Sequence, residues 1–269
     1  TDLRTSSHAG SDCMHCMSAE GFLDPEAELD PEGNYNAITC PACHSVHDAD
    51  TANEWGIRAE STTELCGLCH NGARHPQYEI QQGGAHSLTG VVECTDCHGF
   101  QPGSHGPFMN HTFHVANYTE TCGQSTECHE GMEEWAINQL EEIQSAFTAL
   151  VEDFQAEADA FEAIVLAYNA TAGANLTLVN EVIDVVDASS TTVGLHVYDG
   201  SSGFHNPMGT FDAINEAFRD LLDAEAYYYE NLPAPAGGGF TADTLIIVGG
   251  AAGGIVVGLL LGVLVGRRR

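Results

Sequence analysis

The chain has 269 residues, of which 39 are acidic against seven Arg and no Lys, for a formal net charge of -32. A surface of that sign repels nucleic acid and anionic lipid headgroups and excludes nucleic acid as a partner. The acid excess without Lys is that of a protein adapted to high salt, where screening removes self-repulsion; a generic acidic secreted protein is the plainer alternative.

Residues 1–130 hold all ten Cys and are rich in Gly, Pro, Asn, Asp and His, without sustained periodicity. The first pair is Cys13-Met14-His15-Cys16-Met17. Next come Cys40-Pro41-Ala42-Cys43-His44, Cys66-Gly67-Leu68-Cys69-His70 and Cys94-Thr95-Asp96-Cys97-His98, which read C-x-x-C-H, the attachment signature of a c-type haem. Two thiols at that spacing reach the two vinyl groups of one porphyrin, and the adjacent His meets the iron. Cys122 and Cys128 precede His129 across a spacer of five residues, which a flexible loop accommodates while both thioethers form. A disulfide between them is the alternative in an oxidising compartment. At Cys13 and Cys16 a haem ligated by Met17 is the first choice, because a thioether is a legitimate ligand that raises the potential. A disulfide or a metal site is the alternative there.

The expected cofactor is therefore haem c, five copies with four as the fallback, and Met17, His44, His70, His98 and His129 are the proximal ligands. Of the 14 His, ten then remain, and about half of these are expected on the opposite faces of the irons. Porphyrins would also supply the core, since a segment this polar buries too little apolar surface to order itself. The acidic run from Asp24 to Glu32 reads as a solvated loop in preference to a calcium site.

From Glu133 the pattern changes. Trp135, Leu140, Ile143, Phe147, Leu150, Phe154, Ala158, Phe161, Val165 and Tyr168 form an apolar stripe that predicts a helix of about 35 residues, with Gly173 as its stop. A second stripe runs through Leu176, Val179, Ile183, Val186, Val193 and Val197 and ends before Asp199-Gly200. The third, Phe211, Ile214, Phe218, Leu221, Leu222 and Tyr229, ends at Pro233. Packing of these helices on one another is the plain reading of the stripes.

Residues 232–243 read as a flexible linker. The uncharged run 244–266 is long enough to cross a bilayer as a helix, and Arg267, Arg268 and Arg269 place its end in the cytoplasm and the haem domain outside. A leader removed from a mature form is expected. Gly250, Gly254, Gly258, Gly262 and Gly266 give one smooth face that permits pairing into a homo-oligomer. Four sequons, at Asn110, Asn117, Asn169 and Asn175, fit an exported glycoprotein. The fold class is thus mainly α: a multihaem domain over 1–130, a helical domain over 131–231, the linker and one C-terminal transmembrane helix.

Arg74-His75-Pro76-Gln77-Tyr78-Glu79-Ile80, followed by His86, resembles the H-P-[EQ]-[YF]-E…H signature of ammonia-forming cytochrome c nitrite reductases and hydroxylamine oxidoreductases. Gly90 to His98, the region around Asn110-His111-Thr112, and Gly203-Phe204-His205-Asn206-Pro207 continue the resemblance in the same order, over roughly residues 60–230. The resemblance implies that His86 ligates the haem on Cys122 and Cys128, His205 that on Cys94 and Cys97, and His111 that on Cys40 and Cys43. It leaves His8 for the haem on Cys66 and Cys69, and sets His75 over the substrate face of the first haem. The chain departs from the family where Met17 replaces Lys or His, where a tyrosine expected soon after His70 is absent, and in its shorter length.

Two functions compete. The first is an anchored, extracytoplasmic cytochrome relaying electrons to redox partner proteins or an external acceptor, as a monomer or a polymer. The alternative is a nitrite or hydroxylamine oxidoreductase working at the first haem with His75 and Arg4.

Overall fold

The computed structural model describes residues 18–24, 26, 38–45, 56–72, 75–101, 109–115 and 117–232. Arg4, His8, Cys13, Cys16, Met17, Arg74, most of the 24–32 acidic run, and residues 233–269 lie outside them. Two units make up the chain, Thr1–Phe147 with Leu195–Phe211 and Thr148–Gly194 with Asp212–Arg269.

Unit 1 is built from short helices set by caps and turns rather than by apolar periodicity. α1 (Ala19–Leu23) opens on the Ser18 hydroxyl, which accepts from Gly21 N at 3.0 Å. α2 (Cys40–Cys43) has Pro41 in its first turn, where a missing N–H costs nothing. α3 (Thr62–Gly67) is capped by Ser61, which accepts from Glu64 N. α4 (Gln77–Gln82) and α5 (Ala85–Leu88) bury no residue of their own. α6 (Cys94–His98) begins in a reciprocal cap between Glu93 and Asp96, and α7 (Tyr118–Cys122) on Asn117. Every described cysteine motif therefore starts or ends in one helical turn, as expected of a chain whose local order comes from hydrogen bonds and whose apolar content is low. The only β pairing among the described residues is the bridge of His44 with Ile57.

Three long helices follow: α8 (Glu133–Asn169), α9 (Leu176–Tyr198) and α10 (Pro207–Asn231). Asn206 starts α10 with a side-chain oxygen that accepts from Gly209 N at 3.1 Å, and Pro207 supplies the preset φ of the first position. Unit 2 packs their apolar stripes. Phe154 meets Phe218 edge to face at 5.7 Å between centroids, and Phe161 and Tyr168 both pack on Tyr228. Val165, Leu178, Val182, Ile214 and Leu221 are wholly or almost wholly buried around them. The Tyr227 hydroxyl donates to Glu181 at 2.9 Å.

The mainly helical class with a loop-rich first part is what the structure has. The transmembrane helix of that expectation is corrected: no helix among the described residues is long and apolar enough to cross a membrane, and the run 244–266 lies outside them. The sequon at Asn110 is poorly placed for a sugar, because its side chain is buried and hydrogen-bonded. Its oxygen accepts from Thr112 N and Oγ1 and its amide donates to His114 O.

Candidate functional site

Among the described residues, three cysteine motifs present their His by a backbone closure. His44 N donates to Cys40 O at 2.8 Å and His70 N to Cys66 O at 2.9 Å. The stretched motif closes the same way, with His129 N donating to Cys122 O at 2.9 Å. Its longer spacer is absorbed in a side turn where Cys128 N and Glu130 N both donate to Ser125 O and the Ser125 hydroxyl donates to the Cys128 sulfur. His129 so regains the relation to its first Cys that a two-residue spacer gives. All eight described cysteines are free, so Cys122 and Cys128 form no disulfide.

Four imidazoles that end these motifs each face a second imidazole. His44 and His111 lie 6.4 Å apart between ring centroids, His70 and His75 6.0 Å, His86 and His129 6.2 Å, and His98 and His205 6.1 Å. A metal bonded to two imidazole nitrogens at about 2.0–2.1 Å each, with about 1.2 Å more from nitrogen to ring centre, needs about 6.4 Å between centroids. The observed spacing is that of two rings across one iron. Burial holds His70, His86 and His98 below the ordinary imidazole range, which keeps them in the neutral, ligating form.

Hydrogen bonds select the ligating atom. His98 Nδ1 lies 3.0 Å from Phe113 O, His111 Nδ1 3.0 Å from Met109 O, and His205 Nδ1 2.7 Å from Asp199 Oδ1. Carbonyl and carboxylate oxygens only accept, so each Nδ1 carries the proton and each Nε2 keeps its lone pair for metal.

The sites adjoin. The Thr62 amide donates to Glu93 Oε2 at 2.7 Å, the Thr62 hydroxyl bonds the same oxygen, and Cys94 N donates to Thr63 Oγ1, so α3 and α6 are tied at their first turns. Cys66 and Cys94 share a hydrogen bond that pushes the Cys66 thiol up. Burial, then Asp96, Cys122 and Cys128, push Cys97 up to about 12. On the other side Arg58 fastens the Cys40–His44 turn, its Nε donating to Pro41 O and its amide to Cys43 O. One loop, 199–206, serves two pairs: His205 faces His98, and the ring of Phe204 packs on His86 at 5.7 Å.

His75, which the resemblance set over the first haem, is the ring that faces His70 in the structure, the place it gave to His8. Sequence reasoning missed Asp199, taken only as a helix stop, and gave Trp135 to the apolar stripe. Trp135 is 53 % exposed and lies against His129 in a tilted arrangement, 5.4 Å between ring centroids. An aromatic residue six positions after the motif His, ahead of the regular stripe, was the available signal. The thiol pairs, the imidazole pairs and the fixed Nδ1 protons together fit haem c held by thioethers and two axial His.

The family model of cytochrome c552 matches residues 45–238, more than half of the chain. The outer cell wall cytochrome OcwA is similar in structure with a TM-score of 0.59 at 22% identity, over 83% of this chain and 47% of its own; that likeness shows a shared fold. Cytochrome c nitrite reductase from Desulfovibrio desulfuricans matches with a TM-score of 0.49 at 22% identity, over 67% and 36% of the two chains. The undecahaem cytochrome from the S-layer of Carboxydothermus ferrireducens gives 0.43 at 19% identity, over 87% and 40%. The chain spans less than half the length of these solved structures. No curated protein matches it.

Proposed function

The chain belongs to the cytochrome c552 family, and from that premise we propose that it is an extracytoplasmic electron carrier with five haems, four of them held by the imidazole pairs of unit 1 and the fifth by Cys13, Cys16 and Met17. That it is a multihaem c-type cytochrome follows from the family and its relatives; the count, the location and the carrier role are this proposal. The observation that carries it is the set of four imidazole pairs at 6.0–6.4 Å, each with one ring from a cysteine motif. Bound haem c supplies reversible one-electron chemistry at iron.

The chain's own residues do the rest. Paired thiols would hold each porphyrin and both rings of each imidazole pair would ligate its iron, so that no described site would leave the iron open to substrate. Adjoining motifs, Cys66 beside Cys94 and Cys97 beside Cys122 and Cys128, would hold neighbouring haems close together, which is what relay needs and hydrolytic or ligand-binding chemistry does not. His75 lying against His70 supports the carrier reading over the oxidoreductase alternative. The acidic surface favours a cationic redox partner by steering.

Electron paramagnetic resonance of the oxidised protein, with and without nitrite, tests the carrier role. Only low-spin signals that ignore nitrite are expected, and a high-spin signal that responds to it overturns the reading. Intact mass gives the number of haems, with five expected.

A further inference from the structure

Asp199 is a buried charge that holding porphyrins does not require. Its side chain is 1 % exposed. Oδ1 accepts the Nδ1 proton of His205 at 2.7 Å, and Oδ2 accepts the Ser201 hydroxyl. The His205 amide in turn donates to Ser201 Oγ at 3.1 Å, closing a small network. The backbone beneath it is held from several directions: Gln77 Nε2 donates to Tyr198 O, Gln144 Nε2 to Ser201 O, and Asp199 N to Leu195 O. His98 and His111 give the same ring proton to neutral backbone carbonyls, whereas His205 gives it to a carboxylate.

We propose that Asp199 is a positioning residue that lowers the reduction potential of the haem on Cys94 and Cys97 by acting through His205. This rests on the reading of His98 and His205 as the two ligands of one iron. An anion on Nδ1–H draws the proton toward itself and lends the ring imidazolate character, and a more basic ligand favours the ferric over the ferrous state. Burial strengthens the effect, because water does not screen the carboxylate. Reduction of the site adds one electron to the iron from an external one-electron donor, and no bond forms or breaks.

The test is a mediated spectroelectrochemical titration of the full chain carrying its haems, with the haem count verified by intact mass. Asp199→Asn keeps the shape and removes the charge. It is expected to raise one one-electron wave by about tenfold in its equilibrium constant, about 59 mV, and to leave the others in place. Asp199→Glu restores the low potential. Ser201→Ala removes the competing donor and moves the same wave downward, and it carries the test alone if Asp199→Asn does not fold. Waves unmoved in Asp199→Asn, or waves that rise in both Asp199→Asn and Ser201→Ala as mere loosening would make them, overturn the proposal. His205→Ala separates the two layers: loss of one low-spin signal upholds the ligand reading, and a complete low-spin set removes that reading and this proposal with it.

Discussion

At position 84 a single methyl group decides whether the 199–206 loop can close, since a Cβ on Gly84 would collide with the His205 carbonyl oxygen and lie 3.1 Å from Gln81 O. Backbone atoms cannot yield as a flexible side chain does, so Gly84→Ala is expected to cost about 1–3 kcal/mol and to disturb the low-spin signal of the His98–His205 pair, read by electron paramagnetic resonance. The stretched motif makes a second prediction: Cys122→Ser with Cys128→Ser lowers the intact mass by one haem and spares the others. The motif His residues were legible because chemistry ties them to their thiols. The place of His75 beside His70 follows from a turn at Gly72, whose φ of +82° suits glycine and where His75 N donates to Gly72 O. No period or spacing marks Asp199, whose role exists only once the loop folds back.

The three long helices were legible at the level of their stripes. α8 runs 37 residues, and Phe147, Phe154, Phe161 and Val165 of its predicted face are buried. α9 buries Val179, Val186 and Val193 of its stripe and, beside them, Leu178, Val182 and Ser189, while Leu176 and Val197, in its first and last turns, stay exposed. Phe161→Ala is expected to cost about 3–5 kcal/mol, measured by denaturant unfolding. Glu225 of α10 gives a prediction of opposite sign. Burial, then the charge of Glu157 and a hydrogen bond to it, raise the Glu225 pKa. A carboxyl whose folded pKa is raised resists ionisation, so stability falls as pH climbs through its ordinary value and stays lowered above the folded one. Glu225→Gln is therefore expected to raise Tm at pH 7 and to lose that advantage at acid pH, below the ordinary carboxyl value.

For the whole molecule, the -32 charge is a uniform self-repulsion that shrinks as the Debye length falls from about 10 Å at 0.1 M to about 3 Å at 1 M salt. Thermal unfolding across that range is expected to show a rising Tm, and a flat Tm would remove charge repulsion from the account of stability. The first 130 residues were legible mainly by what they lack. Helices such as α4 and α5 bury none of their residues and carry no side-chain cap, and the porphyrins that the cysteine motifs point to would supply the packing they lack. The imidazole partners, by contrast, lie as far apart in sequence as His98 and His205, and contacts over such separations leave no local trace.

The backbone bond from His129 to Cys122 spans a longer interval than its counterparts yet ends in the same place. A maturation apparatus that measured intervals along a nascent strand would pass this position by. One that grips the presented constellation of two sulfurs and a ring would treat it like its neighbours, so attachment of a haem here would require recognition of form.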